Sequence, residues 1–156
     1  MSWKKGRGLL GPLRPLLGEW RTQAGEGGMP ASSMPCTRTF SAFGKGWIRL
    51  DARWETGPDK AYCETAFFGA GEDGALCCFS FTNDGKRSVG RLSDGSDVHP
   101  DAIAFEAQMP AGLARMIYWP REDGGSGFLF AVESRTKKGW NRFLRQEFGP
   151  SGEICE

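Results

Sequence analysis

From Gly18 onward the chain alternates apolar and polar residues in short runs, and almost none of it carries the three-to-four-residue spacing of an amphipathic helix. The clearest run is "GWIRLDARWET". In an extended strand Ile48, Leu50, Ala52 and Trp54 fall on one face and Arg49, Asp51, Arg53 and Glu55 on the other. Glycine-, aspartate- and asparagine-rich turns cut the chain into about ten such runs: 18–24, 36–43, 47–56, 61–69, 75–82, 86–93, 102–108, 113–119, 128–135 and 140–148. Turns such as "NDG" and "GEDG" supply the positive φ that hairpins need. Connections are short except at 25–35 and 94–101, so sequential runs pair as antiparallel neighbours; a parallel crossover needs about a dozen residues or more. A flat meander of this length would leave two edges open to other chains, and a cylinder leaves none. The pattern therefore predicts an all-β, antiparallel up-and-down barrel of about ten strands, wide enough to enclose a cavity. Leu13, Leu16 and Leu17 form a short N-terminal helix or turn that closes one end.

Length and composition narrow the picture further. The 156 residues suit a single domain, 1–156, with 1–8 and 150–156 as loose ends. A net charge of +1 gives no field that would gather nucleic acid or anionic lipid, so "WKKGR" and "RTKKGWNR" read as solvated ends. No stretch approaches the ~18 apolar residues of a membrane-spanning helix. The basic and leucine-rich start is broken by Gly11, Pro12, Arg14 and Pro15, which argues against a secretory leader and for a cytoplasmic location. The five cysteines, Cys36, Cys63, Cys77, Cys78 and Cys155, show no C-x-x-C spacing, so neither a disulfide framework nor a zinc site is expected.

Gly18 lets the chain bend sharply into the first strand, and Trp20, two residues on, can close one end of the barrel with its ring. "LGPLRPLLGEW", with Gly18 and Trp20, followed by the strand meander, resembles the calycin superfamily of lipocalins, fatty-acid-binding proteins and their bacterial relatives. The shape L-x-x-L-L-G-x-W is similar to the entry of the ten-stranded nitrobindin branch. The segments "GKGWIRLDARWE", "YCETAFFGAGEDGALCCFSFTNDG" and "KKGWNRFLRQEF" look like a bacterial family of lipocalin-like barrels without an assigned function. The resemblance implies a barrel that holds a small molecule inside. Nitrobindins carry haem on a histidine near the barrel end. The single histidine here, His99, lies in the 94–101 connection and the last strand has none, so haem is disfavoured and no cofactor is expected.

Candidate residues follow from alternation and aromatic size. Trp54, Phe79, Phe81, Phe105 and Tyr118 are expected to line the cavity, with Arg142 as a polar anchor or as a cation stacked on Trp20. Arg142 and Arg145 fall on opposite faces of a regular strand, and so do Arg115 and Tyr118. His99 sits among Asp94, Asp97 and Asp101 in a polar loop, too few ligands for a metal. No nucleophile elbow or phosphate loop is visible, and no catalytic residue is assigned. The expected function is binding of a small hydrophobic molecule. The alternatives are an enzyme using Glu64 or His99 on a hydrophobic substrate, or a structural barrel with a filled interior. Large apolar groups on both faces of "RMIYWP" and "FLFAVES" suit either a lined cavity or a homodimer face.

Overall fold

A computed structural model describes residues 3–22 and 34–151. Ten strands run in chain order: β1 (Gly18–Thr22), β2 (Cys36–Phe43), β3 (Trp47–Gly57), β4 (Lys60–Ala70), β5 (Leu76–Thr82), β6 (Arg87–Ser93), β7 (Ile103–Met109), β8 (Gly112–Pro120), β9 (Phe128–Thr136) and β10 (Gly139–Pro150). Each pairs antiparallel with its sequence neighbour, and β1 pairs with β10 through Trp20–Pro150, Arg21–Gly149 and Thr22–Phe148, which closes the barrel. The expected all-β up-and-down barrel is the observed one.

The alternation of β3 holds along its length. Ile48, Leu50, Ala52 and Trp54 are buried inside, while Arg49 pairs with Asp51 at 2.9 Å and Arg53 with Glu55 at 2.8 Å on the outer wall. These exposed pairs each contribute little, ~0–1 kcal/mol.

One end of the barrel is plugged. Gly11–Leu16 forms a 3-10 turn that drops Leu13 and Leu16 into the core, whereas Leu17, expected to join them, points out and is 40 % exposed. A turn of this tightness repeats about every three residues, so Leu13 and Leu16 share a face and Leu17 does not. Gly18 takes φ +134°, a conformation few side chains tolerate, and turns the chain into β1. Trp20 then lies beneath the plug, its indole N–H donating to the Leu16 carbonyl at 2.7 Å and its ring meeting Phe128 edge-on at 5.4 Å. Phe40, Phe68, Phe105, Tyr118, Phe128, Phe130 and Phe148 fill this half of the barrel side to side.

Parts of the segments expected to be loose make contacts with the barrel, while Lys4, Lys5, Arg7 and Gly8 are exposed. Trp3 packs on the core and its N–H donates to Asp101, and Ser151 N–H donates to the Glu19 carbonyl at 3.1 Å. At the N-terminal end the anchor is the Trp3 ring, and at the C-terminal end it is a main-chain bond. Residues 1–2 and 152–156, with Cys155, lie outside the described residues.

The apolar outer positions of β8 and β9 are explained by the long connection 94–102. Ile117, Trp119, Leu129 and Ala131, with Ala104, form a second small core on the outer wall, covered by Val98 and Ala102. Arg115 fixes this strap, donating to both Asp97 oxygens at 3.0 and 2.7 Å and to Glu133 at 2.7 Å.

Gly127 gives a test of closure. Its φ is +119° and an added Cβ would lie 2.0 Å from the Phe148 carbonyl oxygen, whereas a Cβ on Gly46 meets nothing within 4 Å. Gly127→Ala is expected to cost roughly 2–3 kcal/mol or more in urea denaturation, and Gly46→Ala to stay within about 0.5 kcal/mol of wild type.

Candidate functional site

The inner face of β2 carries Cys36, Arg38 and Phe40 in phase, so folding the strand buries an arginine completely. Opposite it on β3 stands Ala52, and opposite Ala52 on β4 stands Glu64. The small alanine between them leaves room for a guanidinium to reach across. Arg38 Nη2 donates to the Tyr118 hydroxyl at 2.6 Å and lies 3.6 Å from Glu64 Oε1. The guanidinium carbon sits 4.2 Å over the Phe130 ring, 5.3 Å from that of Trp54 and 5.5 Å from that of Tyr118. Nε and Nη1 have no hydrogen-bond acceptor. Aromatic faces stand where acceptors would be, and desolvated cation–π contacts of this kind are worth ~2 kcal/mol each. Burial opposes the charge, Tyr118 and Glu64 favour it, and the balance lies above the ordinary guanidinium value. Burial likewise raises the Tyr118 hydroxyl, and it raises the Cys36 thiol to about 11 against the lowering pull of Arg38.

Arg38 and Tyr118 form a layer across the barrel. On the plugged side the interior is solid with aromatic rings; on the other side it is hollow. The hollow has two lobes of about 570 and 490 Å³ that share Glu64, Ser80, Met109, Met116 and Val132, and volumes of this order suit drug-sized molecules. Glu64 and Ser80 supply the polar groups of the floor, with Ser80 Oγ donating to Glu64 Oε2 at 2.5 Å. Trp54, Phe130 and Leu144 wall one lobe and Phe105 and Ala107 the other, while Lys86 and Arg87 edge the first. Trp54 is locked by its indole N–H on Gln146 Oε1 at 3.1 Å, and Gln146 in turn donates to the Met34 carbonyl at 2.9 Å.

A β-bulge shapes this end. The β9–β10 register slips between Arg142 and Leu144, so Phe143 and Leu144, consecutive in sequence, both line the hollow. Phe143 is 62 % exposed and belongs to both lobes.

The expected site residues divide between the two faces of the wall. Trp54 and Phe105 line the hollow, and Tyr118 lies under its floor. Phe79 and Phe81 do not face inward. Phe79 meets Trp47 edge-on at 5.8 Å on the outer wall, and Phe81 is half exposed there. In "LCCFSFT" both parities contain apolar groups, and it is Cys78, Ser80 and Thr82 that turn in beside Glu64. Arg142 is neither an interior anchor nor a partner of Trp20. It is outside, donating to Glu133 at 2.9 Å and stacked over Trp119 at 5.0 Å. Arg145 pairs with outward-facing Ala131, so the bulge places both arginines on the outer side, where a regular strand would have split them. Arg115 and Tyr118 are on opposite faces. His99 belongs to the outer strap, its Nδ1 accepting from Asp101 N–H at 2.9 Å, and it lines neither lobe of the hollow. Among the described residues no group of three or more His, Cys, Asp or Glu is placed to hold a metal.

Arg38 escaped the reading of the sequence. The available signal was its phase: in "CTRTF" the arginine alternates with Cys36 and Phe40, and only an inward strand face explains that company.

Comparison with known proteins finds the same architecture. The chain is similar to the crystal structure of Rv2717c from M. tuberculosis at 18 % identity, with 93 % of this chain and 98 % of that one covered and a TM-score of 0.53. The likeness is one of fold. Protein-family models and curated proteins give no significant match.

Breaking the interior layer tests its weight. Arg38→Met is expected to cost roughly 3 kcal/mol or more, because it strands Glu64 at the edge of the core, and Arg38→Met/Glu64→Gln to cost less than the two single changes added together. Titration gives a second check. The folded Cys36 thiol, at about 11, holds its proton above its ordinary value of 9.0. Its contribution to stability is complete below about pH 9 and is lost as pH rises through 11. Cys36→Ser should therefore flatten the fall in urea midpoint over that window.

Proposed function

We propose that this barrel binds a small, predominantly apolar molecule in the hollow half of its interior. The observation that carries the reading is a two-lobed cavity with apolar walls whose few polar floor groups converge on one point, Glu64 and Ser80, above a fixed Arg38–Tyr118 layer. Apolar walls drive entry by releasing water, and a small polar focus fixes orientation. A ten-carbon chain gains ~0.8 kcal/mol for each methylene buried, some 7–8 kcal/mol in all. Association costs of ~4 kcal/mol or more offset part of this and leave roughly 3–4 kcal/mol, so the chain alone supplies about millimolar affinity and the polar contacts at the floor add to it. The described cysteines, Cys36, Cys63, Cys77 and Cys78, are all free thiols, which supports the reading of a reducing, cytoplasmic setting.

A second reading, proton transfer to a bound substrate, draws on the placement of Glu64. Its side chain is only 13 % exposed at the foot of an apolar cavity. Binding is the stronger reading because Glu64 is engaged on both oxygens, by Ser80 and by Arg38.

Native mass spectrometry of the purified protein is expected to show a retained small molecule or, after extraction, one-to-one uptake of a medium-chain amphiphile. Val132→Trp fills the region common to both lobes. It should weaken uptake at least tenfold while leaving the thermal midpoint within a few degrees. Undiminished uptake by that variant would place the ligand elsewhere.

A further inference from the structure

The polar chemistry of the floor determines what kind of head group it accepts, given that the hollow binds a ligand as proposed above. Glu64 and Ser80 are the polar side chains at its base that both lobes share with Ser88. Ser80 has already given its proton to Glu64 Oε2. Thr82, next along the same strand face, gives its own to Asp84 Oδ1 at 2.5 Å. The donors of Arg38 are sealed beneath the floor: Nη2 is spent on Tyr118, and Nε and Nη1 are buried from solvent against the aromatic rings. Ser88, directly across from Ser80, is uncharged and can serve as either donor or acceptor.

A ligand reaching this point therefore meets the Glu64 carboxylate as acceptor and, in Ser88, one hydroxyl able to donate or accept. A carboxylate head would be brought against the Glu64 carboxylate with no committed donor to receive it, and buried like charges are costly. An ammonium would satisfy Glu64 but would stand beside the Arg38 guanidinium, which lies 3.6 Å from that same carboxylate and already balances it. An uncharged donor avoids both penalties. The cationic side chains stand elsewhere in the lining: Lys86 and Arg87 in one lobe, on the strand end away from the plug, and Arg115 and Arg135 in the other, with Arg115 already held by Asp97 and Glu133.

We infer that the barrel selects amphiphiles whose buried end is a neutral hydrogen-bond donor, a hydroxyl or a primary amide, held by Glu64 with Ser80 and Ser88 beside it. Glu64 is then the specificity-determining group, and Arg38 acts through it as a positioning residue that keeps the carboxylate charge-balanced and aimed upward.

Isothermal titration calorimetry with 1-decanol, decanamide, decanoate and decylamine at pH 8 tests this on the intact protein. Decanol and decanamide are expected to bind at least tenfold more tightly than decanoate and decylamine. Glu64→Gln is expected to narrow the decanol–decanoate gap to threefold or less, since the amide can donate to the carboxylate. Decanoate or decylamine within threefold of decanol on the wild-type protein overturns the head-group assignment and leaves the binding function standing. No heat from any of the four, with none retained in native mass spectrometry, removes the interior ligand itself. The wild-type ranking decides the matter alone should Glu64→Gln fail to fold.

Discussion

A guanidinium with no access to water has to be neutralised, bonded and covered from within the molecule, and Arg38 sets that demand at the middle of the barrel. Its solution involves five strands: Tyr118 from β8, Phe130 from β9, Trp54 from β3 and Glu64 from β4 all converge on the one side chain that β2 sends inward. None of these partners can shift without leaving a buried charge underpaid in contacts, so the layer fixes the relative rotation of opposite walls. It also divides the interior. Below it aromatic rings interlock up to Trp20 and the 3-10 plug; above it the same strands have nothing to pack against and stand apart around a hollow.

The fold was legible because it depends on period and punctuation. A two-residue alternation and turn residues at short intervals imply sequential antiparallel pairing, and the ten runs read from them match the ten observed strands in number and order. The entry was legible as well, since Gly18 and Trp20 act locally: one supplies a backbone angle, the other a ring two residues later on the same face.

The site was legible only in part, and each miss has a physical cause. Trp54 and Phe105 could be read because their strands have one clearly apolar face. Phe79 and Phe81 could not, because the inner face of β5 is the less aromatic one; its polar residues belong to a cavity floor, and the rings cover Trp47 and the outer wall instead. Arg142 was lost to a single extra residue in β10, a local irregularity that no periodicity argument anticipates. Arg38 was overlooked because an arginine on a strand ordinarily signals solvent, and the aromatic rings that make its burial tolerable come from residues up to 92 positions away in the chain.

The strap at 94–102 has a mechanical consequence. With Val98 and Ala102 laid over Ile117, Trp119, Leu129 and Ala131, the wall made by β7, β8 and β9 is dry on both sides and stapled through Arg115. The wall made by β2 to β6 carries on its outer side ring pairs such as Phe79–Trp47 and exposed ion pairs in place of such a strap. A cylinder backed on one side by a second small core and bare on the other is unevenly stiff, and the give that a guest would need, on the reading proposed above, falls to the thinner staves.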